Sequence, residues 1–175
     1  MAKALPDGQS LTFLLGGARS GKSAHAETLV AAHPAPWTYI ATAQAFDDEM
    51  AERIAMHRAR REEGWLTVDA PLDLTGALRA LPEGRPVLVD CLTLWLANHL
   101  LAEHDLDAVS TELEGILASP RGPWFVVANE VGLGIVPDNA LARQFRDAAG
   151  RLNQRAAACA DTVLFMVAGL PLQVK

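Results

Sequence analysis

A glycine-rich segment that ends in lysine and serine has the residue types and spacing of a phosphate-binding loop. It runs from Gly16 to Ser23 and fits the pattern G-x-x-x-x-G-K-[ST] without a mismatch. Glycines let backbone N–H groups close around phosphate oxygens, Lys22 can reach the β and γ phosphates, and the Ser23 hydroxyl can hold Mg²⁺. The segment therefore predicts binding of a nucleoside triphosphate. The residues expected to contact it are Gly16, Gly17, Ala18, Arg19, Ser20, Gly21, Lys22 and Ser23.

The elements on either side of this loop are those that a phosphate loop requires. Apolar residues 11–15 precede it and predict a strand, and good helix formers follow it over residues 24–32. A helix that begins there points its positive end at a bound anion. The alternative is a glycine-rich turn that contains Lys and Ser by chance, and the strand and helix together argue against it.

An acid at the end of another buried strand is the second candidate. The apolar run over residues 86–89 ends in Asp90. In phosphate-loop proteins an aspartate at a strand end holds Mg²⁺, often through water. The alternative role for Asp90 is to cap the helix predicted to begin at Leu92.

A predicted helix over residues 47–61 combines an imidazole with arginines. Met50, Ile54, His57 and Arg61 are spaced i, i+4, i+7 and i+11, so they share one stripe of the helix. A neutral imidazole is a competent nucleophile toward phosphorus, and arginines neutralise charge on a transferred phosphoryl group. Taken alone, however, the pattern favours a half-exposed histidine near the basic end of a solvated helix.

The segment from Asn129 to Pro137 follows a buried strand over residues 123–128. Its Asn-Glu pair faces the ligand side of the predicted sheet, and Gly132 and Gly134 indicate a shaped loop. An ordinary connection between a strand and a helix explains the same residues equally well.

Strand and helix patterns alternate along the whole chain. The predicted strands cover residues 11–15, 37–41, 65–68, 86–90, 123–128 and 162–168. The predicted helices cover residues 24–32, 47–61, 72–81, 92–101, 106–117 and 139–160. This alternation is typical of a single α/β domain in which helices cover both faces of a mostly parallel sheet. Ligands of such sheets bind beyond the carboxyl ends of the strands.

The composition of the chain is typical of a single soluble domain. A chain of 175 residues that is 50% hydrophobic can bury the core of one domain, and a net charge of −6 argues against a nucleic-acid partner. Cys91 and Cys159 have neither disulfide nor metal-ligand spacing, which predicts buried reduced thiols. Without a signal-peptide core or an apolar run of membrane-spanning length, the chain is expected to be soluble and cytoplasmic.

Taken together, these segments resemble the family of bifunctional adenosylcobinamide kinase / adenosylcobinamide-phosphate guanylyltransferase of cobalamin synthesis. The resemblance covers nearly the whole chain after about Leu11. It is most specific in residues 53–57 and 129–137, whereas the phosphate loop is not specific by itself. The matching stretches are residues 16–23, 39–43, 47–50, 53–54, 57–58, 90–93, 129–137, 139, 141–143, 145–147 and 150–155.

The resemblance implies two reactions. Adenosylcobinamide is first phosphorylated on its aminopropanol hydroxyl with ATP or GTP, with Mg²⁺ as cofactor. A histidine then attacks the α-phosphate of GTP, expels pyrophosphate and passes GMP to adenosylcobinamide phosphate, which gives adenosylcobinamide-GDP. The histidine of the family motif corresponds to His57, so the resemblance reverses the interpretation that its spacing alone favours.

The resemblance also implies a set of site residues and an assembly. Nucleotide contacts beyond the phosphate loop correspond to Ala41, Thr42, Ala43, Arg58, Ala59, Arg60, Arg61, Asp69 and Asp90. Ser23 and Asp90 would hold Mg²⁺, and Lys22 joins His57 as a catalytic residue. The implied architecture is a homotrimer with a RecA-like sheet, built from a transferase domain over residues 11–175 after an extension over residues 1–10.

Two positions depart from the family pattern. Glu62 stands where the family usually has proline, and Asp69 stands where it usually has glutamate. Aspartate is one methylene shorter than glutamate, so a ribose or nucleotide contact at Asp69 is less secure.

Two other functions remain open at this stage. A plain small-molecule kinase would use the phosphate loop without His57. A nucleotide-dependent switch would catalyse no transfer, and the sequence lacks the Asn-Lys-x-Asp motif with which guanine-nucleotide switches read the base.

Overall fold

The computed structural model describes residues 8–44 and 63–175. Within these ranges the chain forms seven strands and five helices. The strands are β1 (Ser10–Gly16), β2 (Trp37–Ala41), β3 (Trp65–Asp69), β4 (Val87–Asp90), β5 (Pro123–Asn129), β6 (Thr162–Val167) and β7 (Leu170–Gln173). The helices are α1 (Lys22–Ala31), α2 (Leu74–Ala80), α3 (Leu92–Leu101), α4 (Leu106–Leu117) and α5 (Ala140–Cys159).

All seven strands belong to one sheet, in the order β3-β2-β4-β5-β1-β6-β7. Six of them run parallel, and β7 pairs antiparallel with β6 at one edge. The carboxyl ends of the parallel strands therefore meet at one end of the sheet, which we call the carboxyl end, and the opposite end is called the amino end. The phosphate loop leaves β1 at the carboxyl end.

Helices cover both faces of the sheet, because the apolar side chains of the inner strands point alternately to each face. On one face, Phe13 and Val126 belong to a core that α2, α3, α4 and α5 complete. On the other face, Leu14 and Val127 pack with Ala26 and Val30 of α1. Continuous apolar strands are what a sheet buried on both sides requires.

Side-chain caps and one arginine satisfy backbone groups at several helix ends. The carboxylates of Asp73 and Asp105 accept hydrogen bonds from the first turns of α2 and α4, and the Asn139 side chain does the same for α5. At the C-terminal end of α2, the Arg121 guanidinium donates to the carbonyl oxygens of Leu78 and Leu81 at 3.4 and 2.7 Å.

The mostly parallel α/β fold predicted from the sequence is confirmed. The predicted bounds of α3 and α4 match the structure, and the other described elements begin or end within about two residues of their predicted bounds. Strand β7 was not predicted. The predicted helix over residues 47–61 lies outside the described residues, and the boundary between residues 10 and 11 stays a prediction. In the part of the chain that is described, no helix combines the length and apolar character needed to cross a bilayer.

Candidate functional site

The phosphate loop is shaped by glycines at its two ends. A Cβ atom on Gly16 would lie 2.8 Å from the carbonyl oxygen of Met166 in β6, so no larger residue fits there. Gly21 has φ 91°, a left-handed conformation that favours glycine, and it directly precedes α1. The turn between β6 and β7 supports the loop from outside, since the Gly169 N–H donates to the Ser20 carbonyl at 3.0 Å.

Lys22 lies inside this loop. Only 6% of the residue is exposed, and its ammonium donates to the Gly17 carbonyl at 2.5 Å and to the Ser20 hydroxyl at 3.3 Å. Burial lowers the pKa of the Lys22 ammonium, while Cys91 and the Asp90 carboxylate oppose that shift. A cation held in the loop near an acid is an arrangement that can bind phosphate oxygens and a divalent cation together.

The register of the sheet brings two of the predicted acids to the same level. Ala41 at the end of β2 pairs with Asp69 of β3 on one side and with Asp90 of β4 on the other. Residues that the chain separates by about 20 or 50 positions thus form one row at the carboxyl end. In β1 the phosphate loop begins at Gly16, which pairs with Asn129 of β5.

The Asp90 carboxylate contacts a tyrosine rather than a helix end. The Tyr39 hydroxyl donates to Asp90 Oδ2 at 2.9 Å. Helix α3 begins after Cys91 and has no side-chain cap at that position. The capping role considered as an alternative for Asp90 is therefore wrong, and the Tyr39 hydroxyl holds this carboxylate at the carboxyl end of the sheet.

Ser23 and Asp90 supply donors of the kind that Mg²⁺ prefers. One is a hydroxyl in the first turn of α1 and the other a carboxylate at the end of β4. Mg²⁺ in nucleotide sites takes one or two protein oxygens and completes its octahedron with phosphate oxygens and water. Among the described residues there is no cluster of three or more His, Cys, Asp and Glu that could hold a metal by protein ligands alone. The two oxygen donors fit Mg²⁺ that arrives with a nucleotide.

The segment after β5 runs directly beside the phosphate loop. The Glu130 N–H donates to the Gly16 carbonyl at 3.0 Å, and the Glu130 carboxylate turns back to accept from the Gly132 N–H at 2.6 Å. Beyond this turn Leu133 and Ile135 are 81% and 98% exposed. The segment therefore combines a tight turn after Glu130 with a solvent-exposed apolar tip, and its contact with a ligand stays a prediction.

The described residues contain only part of the predicted site. They include the phosphate loop, the ends of β2, β3 and β4, and therefore Ala41, Thr42, Ala43, Asp69 and Asp90. The nucleophile candidate and its basic neighbours lie outside the described residues, namely His57, Arg58, Ala59, Arg60 and Arg61.

Sequence reasoning singled out neither Tyr39 nor Thr93 as a site residue. Thr93 on α3 is buried, and its hydroxyl accepts from the Asn129 N–H at 2.7 Å, which ties α3 to the end of β5. The sequence feature that could have indicated them is a side chain with a hydroxyl group inside an apolar stretch near a strand end. That signal is weak without knowledge of the register.

The two cysteines of the chain differ in burial. Cys91 is buried between the strand end and α3, and burial together with the Asp90 carboxylate raises the pKa of its thiol to about 12. Cys159 is half-buried on α5, where burial also raises the thiol pKa. Both are free thiols, as predicted, but burial was predicted for both and Cys159 is only half-buried.

The chain is similar over most of its length to two bifunctional enzymes of adenosylcobalamin biosynthesis. The chain is 50% identical over 166 residues to the bifunctional adenosylcobalamin biosynthesis protein CobP of Pseudomonas aeruginosa, which covers 93% of this chain and 96% of that protein. It is 42% identical over 181 residues to the bifunctional adenosylcobalamin biosynthesis protein CobU of Salmonella typhimurium, covering 94% of this chain and 99% of that protein.

Solved structures share the fold at low sequence identity. An ATPase of the type III secretion system of pathogenic bacteria superposes with a TM-score of 0.52 at 12% identity, over 89% of this chain and 50% of that one. The assembled ATPase EscN of enteropathogenic E. coli gives a TM-score of 0.53 at 11% identity, over 91% and 43%. These likenesses support the phosphate-loop α/β fold.

A family model described as cobinamide kinase / cobinamide phosphate guanyltransferase matches residues 12–174. Because this match spans almost the whole chain and agrees with relatives at 42% and 50% identity, the chain belongs to the cobinamide kinase / cobinamide phosphate guanyltransferase family.

Proposed function

We propose that this protein phosphorylates adenosylcobinamide and then transfers GMP from GTP to the phosphorylated product. The observation that carries the proposal is the buried Lys22 ammonium inside the phosphate loop, beside Asp90, in a chain of this family. A lysine that is removed from solvent acts strongly on phosphate charge, because water no longer screens it.

In the first reaction the aminopropanol hydroxyl attacks the γ-phosphorus of ATP or GTP. A new O–P bond forms, the bond to the β-phosphate oxygen breaks, and the hydroxyl proton is released. The loop N–H groups and Lys22 neutralise charge on the phosphates. Ser23 and Asp90 are the residues that would hold Mg²⁺, which supplies further charge neutralisation when it is bound.

In the second reaction His57 is the proposed nucleophile. A ring nitrogen of His57 attacks the α-phosphorus of GTP, an N–P bond forms, and pyrophosphate leaves. A phosphate oxygen of adenosylcobinamide phosphate then attacks the same phosphorus, which releases the histidine and yields adenosylcobinamide-GDP. Arg58, Arg60 and Arg61 are proposed to neutralise the guanylyl group and Asp69 to contact the nucleotide.

The homotrimer and the cytoplasmic location belong to the same proposal. Exposed apolar side chains support association, because patches of this kind are typical of contact surfaces between proteins. They lie on the loop after β5, at Leu133 and Ile135, and on β7, at Leu170 and Leu172. Light scattering on the active protein should give a mass three times that of the chain, and a monomeric mass would contradict the trimer.

Product labelling tests the two reactions separately. Adenosylcobinamide is incubated with γ-labelled ATP or GTP, and its phosphate with α-labelled GTP. We expect both labels to reach the corrinoid with the wild-type protein. His57→Ala should retain γ-transfer and lose α-transfer, whereas His33→Ala, a histidine variant at the amino end of the sheet, should retain both.

The remaining alternatives have their own outcomes in this experiment. A plain kinase would give γ-transfer but no α-transfer with wild-type protein. A nucleotide switch would give neither, and the proposed function would then be wrong.

A further inference from the structure

Two hydroxyl-bearing residues of β2 and the segment after it hold the Asp90 strand end. Tyr39 and Thr42 are both buried, with exposures of 5% and 0%. Their partners lie at Asp90 and Cys91, which the chain separates from them by about 50 residues. These contacts lie on the α1 face of the sheet, where Tyr39, Ala41 and Cys91 belong to one apolar cluster.

The hydroxyl of Thr42 makes two hydrogen bonds to one residue. It donates to the Cys91 carbonyl at 2.7 Å and accepts from the Cys91 N–H at 2.8 Å. The backbone of Thr42 is occupied as well, because its N–H donates to the Asp90 carbonyl at 3.2 Å and its carbonyl accepts from Asn98 Nδ2 at 2.8 Å.

These bonds restrict what Thr42 can do for a nucleotide. A threonine hydroxyl has one hydrogen to donate, and here that hydrogen goes to Cys91. With the side chain fully buried, donation of this hydrogen to a nucleotide would require breaking the bond to the Cys91 carbonyl. Its geometry instead fixes the peptide that follows Asp90.

Tyr39 restrains the side chain of Asp90, whereas Thr42 restrains the backbone that follows it. Its hydroxyl bonds to a single oxygen of Asp90, Oδ2. A hydrogen bond to a charged carboxylate is stronger and more directional than one between neutral groups, so it selects one orientation of the carboxyl group.

We propose that Tyr39 and Thr42 are positioning residues that orient the Asp90 carboxylate toward Mg²⁺ bound with the nucleotide. Tyr39 sets the rotation of the carboxyl group, and Thr42 sets the backbone on which it is carried. This inference rests on the proposed role of Asp90 and reassigns Thr42 from nucleotide contact to support of that acid. Asn98 acts with Thr42, since its amide also donates to the Pro71 carbonyl at 2.8 Å and so joins the ends of β2 and β3.

The test compares ATP binding in the presence of Mg²⁺ with ATP binding in EDTA, measured by calorimetry. Tyr39→Phe removes one hydroxyl and keeps the ring, and Thr42→Val removes one hydroxyl and keeps the shape. Thr75→Val is the matched control, because Thr75 is also buried and its hydroxyl donates to Glu112 at 3.1 Å, between α2 and α4.

For both test variants we expect the gain in ATP affinity that Mg²⁺ gives to fall about threefold to tenfold, the size of one lost hydrogen bond to a charged site. Affinity in EDTA should stay within about twofold of the wild type, since the phosphate loop is unchanged. Thr42→Ser, which keeps the hydroxyl, should recover most of the Mg²⁺ response.

Two results would overturn the inference. One is a Mg²⁺ response in Tyr39→Phe and Thr42→Val that matches Thr75→Val. The other is an equal loss of affinity with and without Mg²⁺, which would indicate direct nucleotide contact or general damage. If Thr42→Val does not fold, Tyr39→Phe decides the outcome alone. Because ATP binding requires no corrinoid, failure of either transfer reaction would be seen separately and would count against the proposed function only.

Discussion

The side-chain hydrogen bonds at the two ends of the sheet have different partners. At the amino end, side chains bond to backbone groups at helix ends and at the start of a strand. Arg121 donates to carbonyls at the end of α2, Trp37 Nε1 donates to the His33 carbonyl at 2.8 Å, and the Asp161 carboxylate accepts from the Leu11 N–H at 2.8 Å. At the carboxyl end, bonds from Tyr39 and Thr42 converge on Asp90 and the residue after it.

We infer from this difference that the amino end contributes mainly to stability and the carboxyl end to catalysis. Bonds at the amino end satisfy strands and helix ends, so their loss should lower the free energy of unfolding. Bonds at the carboxyl end hold the half-buried Asp90 near the buried Lys22 ammonium, whose desolvation costs free energy. A cavity of about 480 Å³ does lie at the amino end, beside His33 and Arg121, but it contains neither the phosphate loop nor a strand-end acid.

The largest effect is expected for Lys22→Met at the carboxyl end. Both transfer rates should fall by about 10²- to 10³-fold, because the charge that stabilises the phosphates is lost. The unfolding midpoint should not fall, since a desolvated ammonium is removed. Lys175→Met is the control, as that lysine bonds to the last carbonyls of α5, and it should keep full activity. Equal rates for Lys22→Met and wild type would remove the loop from the mechanism.

Two aspartate variants, one at each end of the sheet, test whether activity and stability depend on different ends. Asp90→Ala should lower Mg²⁺-dependent transfer by about 10²-fold with little loss of stability. Asp161→Ala should leave transfer unchanged and lower the free energy of unfolding by about 1–3 kcal/mol, because the Leu11 N–H loses its partner. Transfer rates and free energies of unfolding, the latter from chemical denaturation, should be measured on the same preparations of both variants. The reverse pattern would contradict the division between the two ends.

The smallest effect concerns His99, on α3. Its Nδ1 lies 2.8 Å from His104 Nδ1, and its Nε2 lies 3.1 Å from the Leu72 carbonyl. Burial lowers the pKa of His99, the Leu72 bond opposes this shift, and His104 adds to it. The unfolded imidazole, with its ordinary pKa of 6.5, therefore gains a proton before the folded one does.

Stability should then decrease as the pH falls below about 6.5. His99→Gln should show a weaker decrease below about pH 6.5 in denaturation experiments. An unchanged pH dependence in His99→Gln would contradict the assignment of this loss of stability to His99.

Part of the carboxyl end could be predicted from the sequence because its signals are local. The phosphate loop is continuous in the chain, and Asp90 directly follows an apolar run, so neither depends on long-range pairing. The Tyr39–Asp90 bond is different. It depends on the register that pairs Ala41 with Asp90. Tyr39 lies two residues before Ala41 on the same face of the sheet, so its long side chain reaches Asp90 diagonally. No sequence pattern specifies that register.

Strand β7 was missed for another reason. It has four residues and contains Pro171, features that argue against an inner strand but are tolerated at an edge. The turn before it consists of Ala168 and Gly169, with φ of 50° and 82°, the conformation of a tight two-residue hairpin. Gly169 at the second position of the turn favours a hairpin, whereas Ala168 at the first position does not.

The central claim is that this phosphate loop serves transfer of a guanylyl group through His57 as well as transfer of a γ-phosphate. Intact-protein mass spectrometry after incubation with GTP and Mg²⁺ tests it most directly. We predict a mass gain of one GMP per chain, located on His57 by fragmentation, lost in acid, stable in alkali and absent from both His57→Ala and Lys22→Met. No adduct on the wild-type protein, or an adduct that His57→Ala retains, would contradict the account.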